Sequence, residues 1–241
     1  MSKYSGPTEL YIGGEWRNTN SGETISSVDP ASEEEYATVQ KADESDVDDA
    51  VQAAAAAAER SSEWRTMDPD VRREHVRGMA DAIEAMKDEL TLVESHDNGK
   101  TPFEAGLEID MVIDTFRYYA GWSDKIKGSE IPVSDSRLNY TTRDPVGVTA
   151  HIAPWNYPFQ LAGRSIAPAL ATGTAVVLKP SSVPPLSALY YAKAAEKAGL
   201  PDGVVNVVPG SGSGAGSALA SHDGVDHVTF TGSTGVGKSI Q

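Results

Sequence analysis

The chain has 241 residues, of which 39% are hydrophobic and 23% charged, with 22 Gly and 14 Pro; this excludes collagen, coiled coil and low-complexity disorder and allows one large or two small folded units. It contains no Cys, which rules out disulfides, thiolate metal sites and a thiol nucleophile within these residues. A formal charge of −15 argues against nucleic acid or an anionic membrane as partner, and no apolar window approaches the ~20 residues of a membrane span.

The opening MSKYSGPTEL lacks the basic-then-apolar layout of a secretory signal, so a cytoplasmic location is expected. Acidic charge is concentrated early: residues 1–146 hold 31 acidic and 15 basic side chains, residues 147–241 only 4 and 5. Such a surface suits either high salt, where screening relieves self-repulsion, or ordinary solubility. In YIGGEW a Gly-Gly turn between aromatic and β-branched residues predicts a short hairpin, and strand signals are weak from there to Val39. Ser45 with Asp48 predicts a capping box ahead of the run of six Ala. Apolar spacing from Val76 to Val93 predicts one helix over 72–98, stopped by Asn98-Gly99, and 102–122 reads as another. The many Asp and Glu here read as a solvated helix face. The segment GSEIPVSDSRLNYTTR reads as a hairpin arm, marginal alone in water and so expected to pair with another subunit or another part of the protein.

From Gly147 the pattern is four strand-then-helix steps: GVTAHI, TAVVLK, VVNVV and DHVTFT, with helices at 158–172, 185–198 and 212–221 and one beginning after DHVTFT. The strands are nearly unbroken apolar runs, which predicts a parallel sheet covered on both faces, with ligands at the carboxyl ends of its strands. After the first strand stands Ala153-Pro154-Trp155-Asn156-Tyr157-Pro158. Two prolines flank an Asn whose uncharged amide suits a developing oxyanion, although an Asn bonding backbone groups in a turn has the same local sequence. After the second comes Lys179-Pro180-Ser181-Ser182, a cation placed either for ribose hydroxyls and phosphate or as a surface side chain with its stem packed. Gly210 to Gly216 leads from the third strand into a helix start of the kind that binds phosphate. Gly232 through Ser239 satisfies the P-loop pattern G-x-x-x-x-G-K-S, but only two residues follow Ser239, so the later Mg²⁺-binding strand of an NTPase is missing and that reading ranks last. The five His (75, 96, 151, 222, 227) show no metal spacing and read as loop and surface residues.

Taken together and in order, YIGGEW, HDNGK, RDPVGV, APWNYPF, LKPS and FTGSTGVG resemble the NAD(P)-dependent aldehyde dehydrogenase superfamily over the whole chain, which looks like the amino-terminal half of such an enzyme. The resemblance implies an α/β fold with three parts: a helical, acidic segment over 1–127, an oligomerisation arm over 128–146, and a Rossmann-like dinucleotide-binding core over 147–241. It implies that Asn156 is an oxyanion-hole amide, that Ile152, Ala153, Pro154 and Trp155 wall the cofactor, and that Lys179 bonds the adenosine ribose. Gly212 and Gly216 would lie near the adenine, and Phe230, Gly232, Ser233 and Val236 at the pyrophosphate and nicotinamide. Many NAD-preferring members carry Glu where this chain has Ser182; without that carboxylate a 2′-phosphate is not repelled, so NADP is expected to be accepted, alone or beside NAD. In the family a Cys attacks the aldehyde and a Glu activates the hydrolytic water. Neither falls within these residues, so the chain alone is expected to be inactive and to work as part of a longer or split enzyme, a homo-oligomer when complete. A non-catalytic dinucleotide-binding or assembly module is the second reading.

Overall fold

The structure, a computed structural model, describes residues 4–241. Gly13 and Gly14, at φ +62° and +88°, turn the chain between β1 (Leu10–Ile12) and β2 (Glu15–Arg17), the backbone that a two-residue hairpin with primed-turn geometry requires. β3 (Thr24–Val28) and β4 (Glu35–Gln40) form a separate antiparallel pair in the stretch where sequence signals are weak. Helix α1 (Glu44–Ala58) follows, but its capping box is not Ser45 with Asp48. Asp43 is the N-cap and Asp46 its partner, and Asp46 is also buried, where the Thr19 hydroxyl donates to it at 2.5 Å.

After the short α2 (Glu63–Thr66), the single helix expected over 72–98 is two: α3 (Pro69–Ala85) and α4 (Lys87–Asn98). The chain leaves helical geometry only at Met86 (φ −102°, ψ 7°), with no Gly or Pro to mark it. Ile83, Met86 and Leu90 are buried on either side, so the apolar spacing runs through the break unaltered. α5 (Pro102–Ala120) starts in a capping box of Thr101 and Glu104. Residues 129–141 then run out and back as a thin exposed ribbon held by Ile131 N–H to Asn139 O and Thr141 N–H to Ser129 O, each 2.8 Å.

β5 (Val148–Ile152), α6 (Pro158–Ala171), β6 (Ala175–Lys179), α7 (Tyr190–Ala198), β7 (Val205–Val207), α8 (Ser217–Ala220), β8 (His227–Phe230) and α9 (Thr234–Ile240) complete the chain. The main sheet has the order β2-β1-β7-β6-β5-β8. Its four central and edge strands from β7 to β8 are parallel, and the amino-terminal hairpin is added antiparallel along β7, where the buried Asn206 side chain accepts the Gly13 N–H at 2.9 Å. α1 packs on β5, β6 and β7 beside α8, while α6 and α7 pack on the sheet beneath α3 and α5. The start of α6 is fixed by aromatics: Tyr191 stacks on Phe159 at 4.5 Å and donates its hydroxyl to the Phe159 carbonyl at 2.6 Å. That fixes the helix immediately after Asn156.

Candidate active site at the carboxyl ends of the strands

All four parallel strands are tied together where they end. Ala153 N–H donates to Lys179 O and Thr231 N–H to Ile152 O, both at 3.2 Å, and Val208 N–H to Leu178 O at 2.9 Å. The turns that follow therefore leave the sheet from one edge in fixed register. Trp155 is exposed, Asn156 and Tyr157 stand beside it, and the Asn156 amide makes no hydrogen bond among the described residues. It is not spent on its own turn.

Lys179, the last residue of β6, is only 4% exposed, and its stem runs beside Gly216, where a Cβ would lie 3.6 Å from the Lys179 Cδ. Burial lowers its ammonium to about 8, and among the described residues Nζ has no hydrogen bond or ion pair. Nζ keeps some solvent contact at the tip of this packed stem, where a ligand hydroxyl or phosphate can reach it. It is not the surface lysine that its local sequence also allowed. Ser182 is half-buried, and its hydroxyl likewise has no protein partner among the described residues.

The third turn opens as a single π-helical turn, Gly212–Gly216, capped by Ser211, whose hydroxyl accepts the Gly214 N–H at 3.0 Å. Gly216 is buried against Ser211 and Lys179, whereas a Cβ at Gly212 would meet nothing within 4 Å, so no protein neighbour demands glycine there. At the fourth turn the Phe230 ring covers Gly232 so closely that a Cβ would lie 2.4 Å from it. Ser233 caps α9 through the Val236 N–H at 3.3 Å, and Val236 is exposed. The G-x-x-x-x-G-K-S residues thus form mostly helix: Lys238 is its fifth residue and Ser239 donates its hydroxyl back to the Val236 carbonyl.

Several charged groups that sequence reading left on the surface are inside. Glu94, Asp97 and Glu108 are buried, and Lys100 Nζ bridges the carboxylates of Glu94 and Glu108; burial first, then Glu108, raises the Glu94 carboxyl above its usual range. His151 is not a loop or surface residue either. It is the fourth residue of β5, between Thr149 and Ser165 at 2.9 and 2.8 Å, and burial lowers its imidazole to about 3, so it stays neutral. It borders a cavity of about 590 Å³ with Arg143 and Arg164. That cavity faces the last turn of α6, where carbonyl dipoles oppose an anion, and it lies away from the strand ends; the smaller cavities, about 440 Å³ beside Phe230 and Lys238 and about 300 Å³ beside Trp155 and Ser181, are the ones that border them. Among the described residues no His, Asp and Glu gather in a metal-binding group, and no helix is long and apolar enough to cross a membrane.

Comparison with known proteins shows the family. The model of the aldehyde dehydrogenase family matches residues 16–241. Human retinal dehydrogenase 2 is 46% identical over 236 residues, 97% of this chain and 45% of its own length; human mitochondrial aldehyde dehydrogenase is 44% identical over 235 residues, again 97% and 45%. The NAD⁺ complex of a Bacillus cereus aldehyde dehydrogenase superposes with a TM-score of 0.94 at 44% identity, over 97% of this chain and 48% of that one. The chain thus spans a little under half the length of these relatives.

Proposed function

The chain belongs to the aldehyde dehydrogenase family, and from that premise we propose that its strand-end turns hold a nicotinamide dinucleotide and present the Asn156 amide to an aldehyde undergoing oxidation to a carboxylic acid. The observation that carries this reading is the unpaired Asn156 amide, standing at the same sheet edge as the unpaired Lys179 ammonium. Lys179 bonds the adenosine ribose, with Gly212 and Gly216 beside the adenine. Ile152, Ala153, Pro154 and Trp155 form the wall, and Phe230, Gly232, Ser233 and Val236 meet the pyrophosphate and nicotinamide. Lys179 supports the fit, because its ammonium stands at the open end of a packed stem with no protein partner among the described residues. Ser182 sets no negative charge against a 2′-phosphate, so NADP is accepted beside NAD.

The bound nicotinamide supplies the hydride acceptor. The chain's own contribution to the chemistry is electrostatic. An aldehyde oxygen gains charge as its carbon is attacked, and the Asn156 N–H, being neutral, stabilises that charge without giving up a proton. A Cys nucleophile and a Glu base come from residues outside this stretch, so turnover is a property of the assembled enzyme. Residues 128–146 serve as an arm between subunits of a homo-oligomer.

Asn156→Ala, made in the purified enzyme that contains this chain, lowers kcat ~10²- to 10³-fold while the dissociation constant for NAD stays within twofold. Wild-type turnover in that variant would remove the oxyanion role.

A further inference from the structure

Both neighbours of Asn156 are tied down, and the ties come from one turn between α4 and α5. Gly99 reverses the chain at φ +84°, and a Cβ there would lie 2.6 Å from Pro30 Cγ. On one side of it Asn98 Nδ2 donates to the Trp155 carbonyl at 2.6 Å. On the other, Lys100 Nζ sits 4.6 Å from the centre of the Tyr157 ring while bridging Glu94 and Glu108. Glu108 in turn accepts the Gln160 N–H at 2.9 Å. This carboxylate serves the first turn of α6, where the N-cap residue Tyr157 offers no side-chain cap of its own and where negative charge is favoured by the helix dipole.

One ammonium between two carboxylates, each 1% exposed at its side chain, is a costly arrangement to bury and weak evidence for stability. What it supplies is placement. The carbonyl before Asn156, the ring after it and the helix beyond it each meet α4, α5 or the turn joining them, on both sides of the exposed Asn156 side chain.

We propose that the turn Asn98-Gly99-Lys100, acting with Glu108, positions the Asn156 loop, so that the amide is aimed before substrate arrives. Asn98, Lys100 and Glu108 are positioning residues that act through the loop, and the proposal rests on the oxyanion role of Asn156. Misplacement of a reacting group by about 1 Å costs up to ~10²-fold in rate.

The test uses the purified enzyme containing this chain, with acetaldehyde, hexanal and benzaldehyde as probes and NAD affinity measured separately. Asn98→Ala lowers kcat about 10-fold and Lys100→Met ~10²-fold, Lys100→Arg recovers most of the loss, and NAD affinity stays within twofold throughout. In the Asn156→Ala background neither substitution lowers kcat further. If Lys100→Met strands its carboxylates and fails to fold, Asn98→Ala, at a partly exposed site, carries the test. Unchanged kcat in Asn98→Ala, or its full loss repeated in the Asn156→Ala background, overturns the positioning role alone; wild-type kcat in Asn156→Ala overturns the oxyanion role on which it rests.

Discussion

At Ser182 the proposed acceptance of both dinucleotides rests on a single side chain. A carboxylate there would stand against a 2′-phosphate and accept a 2′-hydroxyl, so charge alone distinguishes the two cofactors. In Ser182→Glu, catalytic efficiency with NADP is expected to fall at least 10-fold while efficiency with NAD is kept or improved; equal loss with both would show that the position does not face the ribose. Asn156 and Lys179 were legible as candidates because a strand end is where a parallel sheet presents its ligands. Their states were not legible: the sequence alone leaves open an Asn bonded within its own turn and a Lys lying on the surface, and only the three-dimensional structure shows the amide exposed without a protein partner and the Lys179 stem packed beside Gly216. The buried acids had a signal that net charge concealed. Glu94 and Asp97 fall in line with Leu90 and Val93, and Glu108 with Ala105, Ile109 and Val112, on the inward stripes of their helices. A charged residue in an apolar stripe marks a buried pair.

Elements were read most accurately where their chemistry was local. The Gly13-Gly14 hairpin, the four parallel strands and α5 follow from turn residues and apolar runs. The division of α3 from α4 does not, because Met86 interrupts the backbone without interrupting the buried spacing. Nor does the addition of β1 to β7, which depends on an Asn206 bond nearly two hundred residues from its partner. The ribbon over 129–141 raises a question of stability at this same level. Gly128 closes its base so tightly that a Cβ would overlap Thr141, yet Leu138 and Tyr140 are exposed and two strands alone are marginal in water. Its proposed partner is another subunit. Replacing 129–141 by a short Gly-Ser link is expected to reduce the oligomer in sedimentation velocity to a smaller species, with an unchanged sedimentation coefficient counting against the arm.

Across the whole molecule, charge divides the chain more sharply than the fold does. Residues 1–146 carry all the acidic excess, on helices, loops and four short strands of which β1 and β2 extend the sheet, while the almost neutral remainder builds the parallel strands and the turns that leave them. A dinucleotide is an anion, and a chain of charge −15 does not attract it at long range, so the proposed binding depends on short-range groups at the strand ends and on Lys179 above all. Isothermal titration of NAD and NADP into the purified enzyme containing this chain tests that dependence most directly. The account predicts saturable uptake of at least one of them, one equivalent per chain, weakened at least 10-fold by Lys179→Met. Absence of binding by both dinucleotides, in an enzyme whose fold is intact, would contradict it.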